Sequence, residues 1–345
     1  MANDRARGAL LGLAVGDALG TTHEFARIAQ PAYPTLATGP ATDVVGKGPF
    51  DLTPGMVTDD TQMAVCLART LARHGRVEVD ELGKRYVAWT EHAFDIGNQT
   101  RASLSLIEDG MPARLAGFEV WRRAGRQPAG NGSLMRSAPI GVVLRGEALL
   151  DAAIADSMIT HADPRCILAC IAFDAAIAAY VEAGDADPIA VARGALASGA
   201  RRLRDTWQAI EVVGEGALAK PEDLACIETA QAALARDLDA AQADDPDVYG
   251  AELHVDRTAG FVRLAFRLAF WHAVHTKRWR DALVDIASRG GDADTNAAIA
   301  GALLGARDGA EAIPVEWEMR VLGAMLPGPA AWIDAHHPRL LFGIL

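Results

Sequence analysis

The sequence predicts an all-α fold, and its residue pattern and composition both point that way. Alternation of apolar and polar residues, the pattern of a half-buried strand, is hard to find, whereas apolar residues recur at helical spacing in many segments. Alanine is abundant, and aromatic residues make up only 6% of the 345-residue chain. We therefore expect helices that pack closely through small side chains.

The predicted helices begin near the amino terminus and recur along the chain. The first lies in "MANDRARGALLGLAVGDALG" and ends at Gly20; with Asp4 and no clear cleavage site, it resembles a helix and not a signal peptide. The second lies in residues 58–75, where Thr58 or Asp59 can cap the start and Gly75 suits the end. Further helical patterns occupy residues 80–94, 165–184, 187–207, 258–276 and 281–291.

Two segments are predicted to be loops. Residues 30–55 are rich in Pro, Gly and Thr, and residues 235–250 are acidic and end in turn signals, which indicates a surface excursion. No linker clearly divides the chain. We therefore predict a single domain over residues 1–345.

Charge, hydropathy and cysteine content exclude several classes of protein. The formal net charge of −12 disfavours a general nucleic-acid binder, which needs a basic face. No stretch stays apolar and uncharged for the roughly 20 residues of a membrane span. Four scattered cysteines give no disulfide framework, so a cytoplasmic protein without a membrane partner is expected.

The segment "GALLG" occurs twice, at residues 8–12 and 301–305. Coincidence within Ala/Gly/Leu-rich helices is a simpler explanation than an internal repeat. The physical consequence is the same in both cases, because glycines on a helix face let another backbone approach closely.

Two acidic clusters lie at predicted helix starts. For "TDDT", residues 58–61, helix capping explains the residues, although hard divalent cations also prefer such oxygen donors. "GGDADT", residues 290–295, places Asp292, Asp294 and Thr295 within four positions, more donors than a cap needs. A phosphatase "DxDxT" nucleophile is the alternative, but that motif follows a buried strand and "LVDIASRGG" has a helical pattern. From this stretch alone, metal binding and an ordinary helix start both remain open.

The segment "GNGSLMRSAPIG", residues 130–141, can expose backbone N–H groups in a nest that holds phosphate oxygens. An ordinary Gly-Asn-Gly turn explains it equally well, and it lacks the lysine of a nucleotide-binding P-loop.

Three single residues lie at helix ends: Glu24, Asp95 and His161. Each also suits a cap, a turn or a solvated side chain. Zinc binding by His161, Cys166 and Cys170 would lack a fourth donor and is weakly supported.

Six motifs together indicate a resemblance to a known protein family that no single motif indicates. "GALLGLAVGDALG…EF", "TDDT", "DIGN.T", "GNGSLMR.AP", "ITH" and "GGDADT..AIAGALLGA..G" occur in the order found in the ADP-ribosylglycohydrolase family. The chain resembles the branch that includes dinitrogenase reductase activating glycohydrolase. The resemblance spans Gly8 to about Gly309 and is weakest in the middle.

The resemblance implies a compact orthogonal helical bundle with two Mg²⁺ or Mn²⁺ ions in a cleft. By motif, the implied metal ligands are Thr58, Asp59, Asp60, Asp292, Asp294 and Thr295. The implied catalytic residues are Glu24, Asp60, Asp95 and Asp294. The implied substrate-binding residues are Asp95, Gly97, Asn131, Gly132, Ser133, Met135, His161 and Gly291, with the glycines before Asp292 letting substrate approach the backbone.

The implied activity is hydrolysis of the N-glycosidic bond between ADP-ribose and a protein side chain, most often arginine, with an ADP-ribosylated protein as substrate and ADP-ribose as product. Serine or other linkages remain open. So does a role as an immunity or binding protein that neutralises an ADP-ribosyltransferase toxin partly by occlusion. Residues 200–255 form a longer, less typical insertion, and Phe261 stands where relatives often carry Tyr.

Overall fold

The computed structural model describes residues 2–28, 39–212, 216–243, 253–255 and 257–345. It confirms the all-α prediction. Its fifteen α-helices are α1 Ala2–Gly20, α2 Asp59–His74, α3 Val79–Trp89, α4 Asn98–Glu108, α5 Ala113–Arg123, α6 Ala138–Val143, α7 Gly146–Thr160, α8 Pro164–Ala183, α9 Pro188–Ala209, α10 Pro221–Gln242, α11 Val262–His275, α12 Trp279–Ala287, α13 Ala293–Asp308, α14 Val315–Gly323 and α15 Ala330–His336.

The remaining regular structure is short. Three 3₁₀ turns lie at Thr21–His23, Ala310–Ala312 and Pro338–Ile344. Strands β1 (Glu211–Val212) and β2 (Gly216–Ala217) form a small antiparallel pair between α9 and α10.

Helices α1 and α13 cross in antiparallel contact through the two "GALLG" segments. A Cβ atom on Gly12 would lie 2.1 Å from the backbone oxygen of Gly301, and one on Gly305 would lie 2.0 Å from that of Gly8. No side chain fits between the two backbones at these positions. The predicted close approach is confirmed, and each copy of the segment is the other's partner.

Helix α8 has the length and composition of a membrane-spanning helix, with a mean hydropathy of 1.9. Within the fold, 78% of that window is buried against other helices. Its Asp174 is fully buried and accepts a hydrogen bond from the Ser137 hydroxyl at 2.9 Å. These observations are typical of a central core helix.

The predicted helix boundaries hold at α2, which begins at Asp59 and ends before Gly75. Gly75 adopts φ 68° and donates its N–H to the Leu71 carbonyl, the geometry of a left-handed helix end. The predicted helical segments overlap α3, α8, α9, α11 and α12, with boundaries that differ by a few residues. In the predicted loop 30–55, the described residues 39–55 contain no helix, while residues 30–38 lie outside the described residues.

The predicted surface excursion at 235–250 is wrong for its first half, because α10 continues to Gln242. Leu234, Leu238 and Ala241 form a buried apolar stripe at helical spacing. Asp237 is buried too. Arg263 and Arg267 of α11 donate hydrogen bonds to its carboxylate and compensate its charge. Residues 244–250 lie outside the described part, and a single domain over 1–345 stays a prediction.

The glycine contact between α1 and α13 gives a stability prediction. Gly12→Val is expected to lower the free energy of unfolding by about 3 kcal/mol, because its side chain would have to displace the Gly301 backbone. Chemical denaturation measures the change.

Gly194→Ala is the matched control. Gly194 is an exposed helical glycine in α9 with open space around its Cβ position, so alanine is expected to raise stability by about 0.5–1 kcal/mol. Equal effects of the two substitutions would contradict the role given to the helix contact.

Candidate active site

The end of α1 meets the start of α13 at Glu24. The Glu24 carboxylate accepts the backbone N–H of Ala293 at 2.8 Å and that of Asp294 at 3.5 Å. It therefore caps α13 from a distant part of the sequence, where the positive end of the helix dipole favours a carboxylate.

The glycines that precede Asp292 serve a tight turn. Gly290 and Gly291 have φ angles of 73° and 67°. A Cβ on Gly290 would lie 2.1 Å from the Ala26 carbonyl oxygen, and one on Gly291 would lie 2.4 Å from that of Val255. The protein's own backbone fills the space at both Cβ positions, and neither glycine lines the cleft, so the expected approach of substrate to these glycines stays a prediction.

Asp17 is a central residue of the site that sequence reasoning missed. It is fully buried in α1 and accepts hydrogen bonds from the backbone N–H and hydroxyl groups of Thr58 and Thr61, at 2.5–3.2 Å. Asp17 thus caps α2, whereas the Thr58 side chain makes no cap bond. Its sequence signal was a lone charge within the apolar segment from Gly8 to Gly20.

The two acidic clusters meet at Asp60. Its Oδ2 lies 3.0 Å from the Thr58 hydroxyl and 3.4 Å from the Thr295 hydroxyl. Its Oδ1 is buried without a hydrogen-bond partner in the described part of the chain. A buried carboxylate oxygen without a hydrogen-bond partner raises the free energy of the folded state. This atom therefore suits the role of a ligand to a cation.

Two groups of carboxylate oxygens lie close enough to hold metal ions. Asp17, Asp60 and Asp294 form one group and Glu24, Asp292 and Asp294 the other, with the atoms of each group within 4.8 Å of one another. Asp294 belongs to both. Clustered oxygen donors are what Mg²⁺ and Mn²⁺ prefer, so the residues fit two adjacent hard cations.

Burial and mutual repulsion raise the pKa of these carboxyl groups. Burial is the main cause at Asp294, whose pKa rises to about 8, and at Asp17 and Asp95, whose pKa values rise to about 6. The pKa values of Glu24 and Asp60 lie well above their usual range for the same reason, with neighbouring aspartates adding to the shift. Without a cation, this end of the site therefore retains protons.

A cleft of about 450 Å³ opens above the clusters. The predicted residues that line it are Glu24, Asp59, Asp95, Gly97, Asn131, Gly132, Met135, His161, Asp292, Asp294 and Thr295. Additional lining residues are Phe25, Asn98, Gln99, Thr100, Gly130, Ala259 and Gly260. The carboxylates form its acidic end, and residues 130–132 with His161 form its neutral end.

Four predicted residues do not line the cleft: Thr58, Asp60, Ser133 and Gly291. Thr58 and Asp60 lie beneath it within the acidic network, and Gly291 packs on Val255. The Ser133 hydroxyl is fully buried and accepts a hydrogen bond from Ser157 at 2.9 Å, because the loop turns that side chain toward α7. Among described residues of the 200–255 insertion, none lines the cleft.

The loop at 130–132 is less open than a phosphate nest. The Asn131 backbone N–H donates to the Gly260 carbonyl at 2.9 Å, so it is already used. The Asn131 side-chain amide donates to Asp292 at 2.6 Å and ties the neutral end to the acidic end. The Gly130 N–H donates to Gln99 at 3.3 Å.

A buried network holds the ring of His161. The Arg136 guanidinium donates to the Thr160 hydroxyl oxygen at 2.9 Å, and that oxygen lies 2.8 Å from His161 Nδ1. This contact fixes the orientation of the ring and leaves Nε2 beside Gly130 and Gly132 of the cleft. Burial, with Arg136 adding repulsion, lowers the pKa of His161 to about 3 and keeps the ring neutral.

Two alternative chemistries are wrong. Burial raises the pKa of Cys166 and Cys170, and their thiols donate to Gly130 and Ser133, so they form no zinc group with His161. The "DxDxT" segment follows helix α12 and not a strand, which removes the phosphatase hypothesis.

Comparisons with known proteins agree with this geometry. The sequence model of the ADP-ribosylglycohydrolase family matches residues 1–340. An ADP-ribosylarginine hydrolase of Serratia proteamaculans is 30% identical, over 91% of this chain and 74% of its own. One of Pseudomonas putida is 29% identical, over 92% and 74%. The ADP-ribosyl-[dinitrogen reductase] glycohydrolase of Rhodospirillum rubrum is 27% identical, over 91% and 89%.

A solved structure shares the fold. It is described as an ADP-ribosylglycohydrolase-related protein complex, with a TM-score of 0.65 and 24% sequence identity, and the match covers 99% of this chain and 97% of that one.

The raised carboxyl pKa values predict an inverse dependence of stability on pH without divalent cations. Groups with raised pKa bind protons more tightly when folded, so their contribution to stability is lost as pH rises. Between about pH 4 and the Asp294 pKa of about 8, the melting temperature in EDTA is expected to fall by about 5 °C or more.

Excess Mg²⁺ is expected to reduce this dependence, because cations compensate the ionised carboxylates. Scanning calorimetry with EDTA and with Mg²⁺ at each pH measures it. Identical pH profiles in the two buffers would contradict a metal role for the acidic end.

Proposed function

This chain belongs to the ADP-ribosylglycohydrolase family, and we propose that it removes mono-ADP-ribose from arginine side chains of proteins with two divalent cations, Mg²⁺ or Mn²⁺, bound at the acidic end of the cleft. One observation supports the proposal most directly. Two clusters of three carboxylates share Asp294 and lie beside a cleft with a neutral end. Two relatives named ADP-ribosylarginine hydrolases support the arginine linkage.

The acidic end suits the ribose next to the scissile bond. When bound, the cations would supply Lewis-acid positions for the two vicinal hydroxyls of that ribose. The ligands would come from Thr58, Asp59, Asp60, Asp292, Asp294 and Thr295, and the geometry adds Asp17 and Glu24 as nearby carboxylates. Asp17 fixes Thr58 and Thr61 at the start of α2 and so orients the ligands that follow.

The reaction replaces a carbon–nitrogen bond with a carbon–oxygen bond. Water adds its oxygen to the anomeric carbon and gives one proton to a carboxylate. The carbon–nitrogen bond breaks with its electron pair passing to the guanidine nitrogen, and the carboxylic acid returns the proton to the released guanidine. Glu24 suits that acceptor role, because two backbone N–H groups of α13 hold it and a hydrogen bond joins it to Asp294. Surrounding carboxylates, including Asp95, would stabilise the positive charge that develops on the sugar.

The neutral end suits the rest of ADP-ribose. His161 presents Nε2 at a fixed position, and Gly132 leaves room for it, since a Cβ there would lie 3.0 Å from Nε2. Asn131 is held by Gly260 and Asp292, and Met135 adds apolar surface. Uncharged groups of this kind contact sugar and phosphate oxygens without altering the charge of the acidic end.

A substrate panel tests the linkage and the metal. Proteins or peptides with ADP-ribose on arginine or serine, and ADP-ribosylated nucleic acid, are incubated with Mg²⁺, Mn²⁺ or EDTA, and released ADP-ribose is quantified. Release is expected from arginine with either cation and not with EDTA. Absence of release from every arginine substrate with both cations would refute the proposal.

Asp294→Asn removes the charge shared by both carboxylate groups while keeping the side-chain shape. Turnover is expected to fall by more than about 10³-fold, with far-ultraviolet circular dichroism unchanged. If Asp294→Asn or Asp294→Ala still protected cells fully against an ADP-ribosylating toxin, occlusion and not hydrolysis would be the protective activity.

Thr160→Val tests the positioning of His161. Valine removes the hydroxyl that contacts Nδ1 but keeps the shape, so the ring loses the hydrogen bond that orients Nε2 at the cleft. ADP-ribose binding, measured by calorimetry, is expected to weaken about tenfold.

Ser157→Ala is a control from the same helix, because its hydroxyl bonds to Ser133 and to the His161 carbonyl, not to the ring. Equal weakening by both substitutions would contradict a specific role for the contact between Thr160 and the His161 ring.

A further inference from the structure

Phe25 is an exposed aromatic residue in a conformation unusual for its type. It follows Glu24, lines the cleft and is 63% exposed. Its φ of 57° lies in the left-handed region, which side chains with a Cβ rarely adopt. The backbone is held there because the Phe25 N–H donates to the Gly291 carbonyl at 2.7 Å. Burial does not explain why an exposed phenylalanine is held in a strained conformation. Backbone strain of this kind is concentrated at functional sites.

Two further phenylalanines support the Phe25 ring. Phe50 contacts it edge-on, with ring centroids 6.2 Å apart and an interplanar angle of 70°. Phe94 contacts Phe50 at 5.4 Å, and it directly precedes Asp95 in the chain. We call Phe25, Phe50 and Phe94 the aromatic wall.

The turn that carries Phe50 is also fixed. Lys47 and Leu52 exchange backbone hydrogen bonds at 2.6 and 3.0 Å across it. Lys47 and Asp51, on either side of Phe50, have positive φ angles of 71° and 50°. The wall is therefore anchored in place by backbone contacts at both Phe25 and Phe50.

The position of the aromatic wall indicates which kind of chemical group can bind against it. It stands at the acidic end, since Phe25 and Phe94 each adjoin a carboxylate of the cleft, Glu24 and Asp95. The neutral end, at residues 130–132 and His161, is formed by other segments. A group that meets an aromatic face and nearby carboxylates together is best a flat cation, and guanidinium is the flat side-chain cation that stays charged at neutral pH.

We propose that Phe25, supported by the aromatic wall, is a specificity-determining residue that stacks on the guanidinium of the ADP-ribosylated arginine. This inference rests on the proposed function, because it assigns the leaving-group side of the same site. A serine-linked substrate offers a neutral oxygen at this position and gains no cation–π attraction. The wall therefore favours arginine-linked over serine-linked ADP-ribose.

The experiment compares Phe25→Gly and Phe25→Leu with the wild type. Glycine removes the ring and relieves the positive φ, whereas leucine keeps apolar bulk without a π face. Met319→Ala is the control, since Met319 is 69% exposed on α14, outside the cleft. Initial rates are measured with ADP-ribosylagmatine and an ADP-ribosylserine peptide, ADP-ribose affinity by calorimetry, and melting temperature by scanning calorimetry.

Both Phe25 variants are expected to raise KM for ADP-ribosylagmatine about fivefold, with kcat changed less than about twofold. We expect KM for any serine-linked hydrolysis and the Kd for ADP-ribose to stay within about twofold of the wild type. Phe25→Gly is expected to melt at or above the wild-type temperature, which a structural role for the ring would not produce. The control should match the wild type in every measurement.

Three results would overturn the inference while leaving the proposed function intact. They are an unchanged KM for ADP-ribosylagmatine, an equal loss of affinity for ADP-ribose itself, and a lower melting temperature of Phe25→Gly without a change in KM. Wild-type protein that releases nothing from ADP-ribosylagmatine or from arginine-modified protein would instead refute the proposed function.

Discussion

The antiparallel contact between α1 and α13 is the constraint on which the site depends. Glycines 8 and 12 of α1 meet glycines 305 and 301 of α13 with no side chain between the backbones. Because the helices run in opposite directions, the end of α1 arrives at the start of α13. Glu24 can then cap α13, and Asp17 can reach the start of α2. Helix ends that are far apart in sequence thereby converge on one cleft.

Convergence of the helix ends also brings several carboxylates close together, where they repel one another when ionised. The acidic end gathers more carboxylates than buried hydrogen bonds can satisfy, and Asp60 Oδ1 lacks a partner in the described part of the chain. Protons compensate the charge when no cation is bound, as the raised pKa of Asp294 shows. Tightly packed small residues behind the cluster resist the expansion that repulsion would otherwise cause. We therefore expect stability and cation binding to be linked at this site.

The two ends of the cleft differ in charge and bind different parts of the proposed substrate. Uncharged groups at the neutral end are fixed by buried bonds, as Arg136 and Thr160 fix the ring of His161. The acidic end combines ionisable groups with the exposed ring of Phe25, which a strained backbone holds at the rim. This separation suits a substrate whose sugar–nucleotide part carries a diphosphate and whose leaving group is a cation. The helices position both ends, and the turns around Gly291 and Phe50 hold the rim.

The sequence by itself determined the helical class, the ends of α2 and the two acidic clusters, because helix periodicity, glycine stops and adjacent carboxylates are local properties. Six ordered motifs likewise indicated the family and most residues of the cleft. Only the tertiary structure decided that Asp17 caps α2, that Gly291 packs on Val255, that Ser133 faces α7 and that α10 extends past residue 235. Those outcomes depend on partners distant in sequence, such as Thr58 for Asp17 and Arg263 for Asp237. Spacing along one chain cannot specify which distant backbone fills the space beside a residue, and that choice is made by packing.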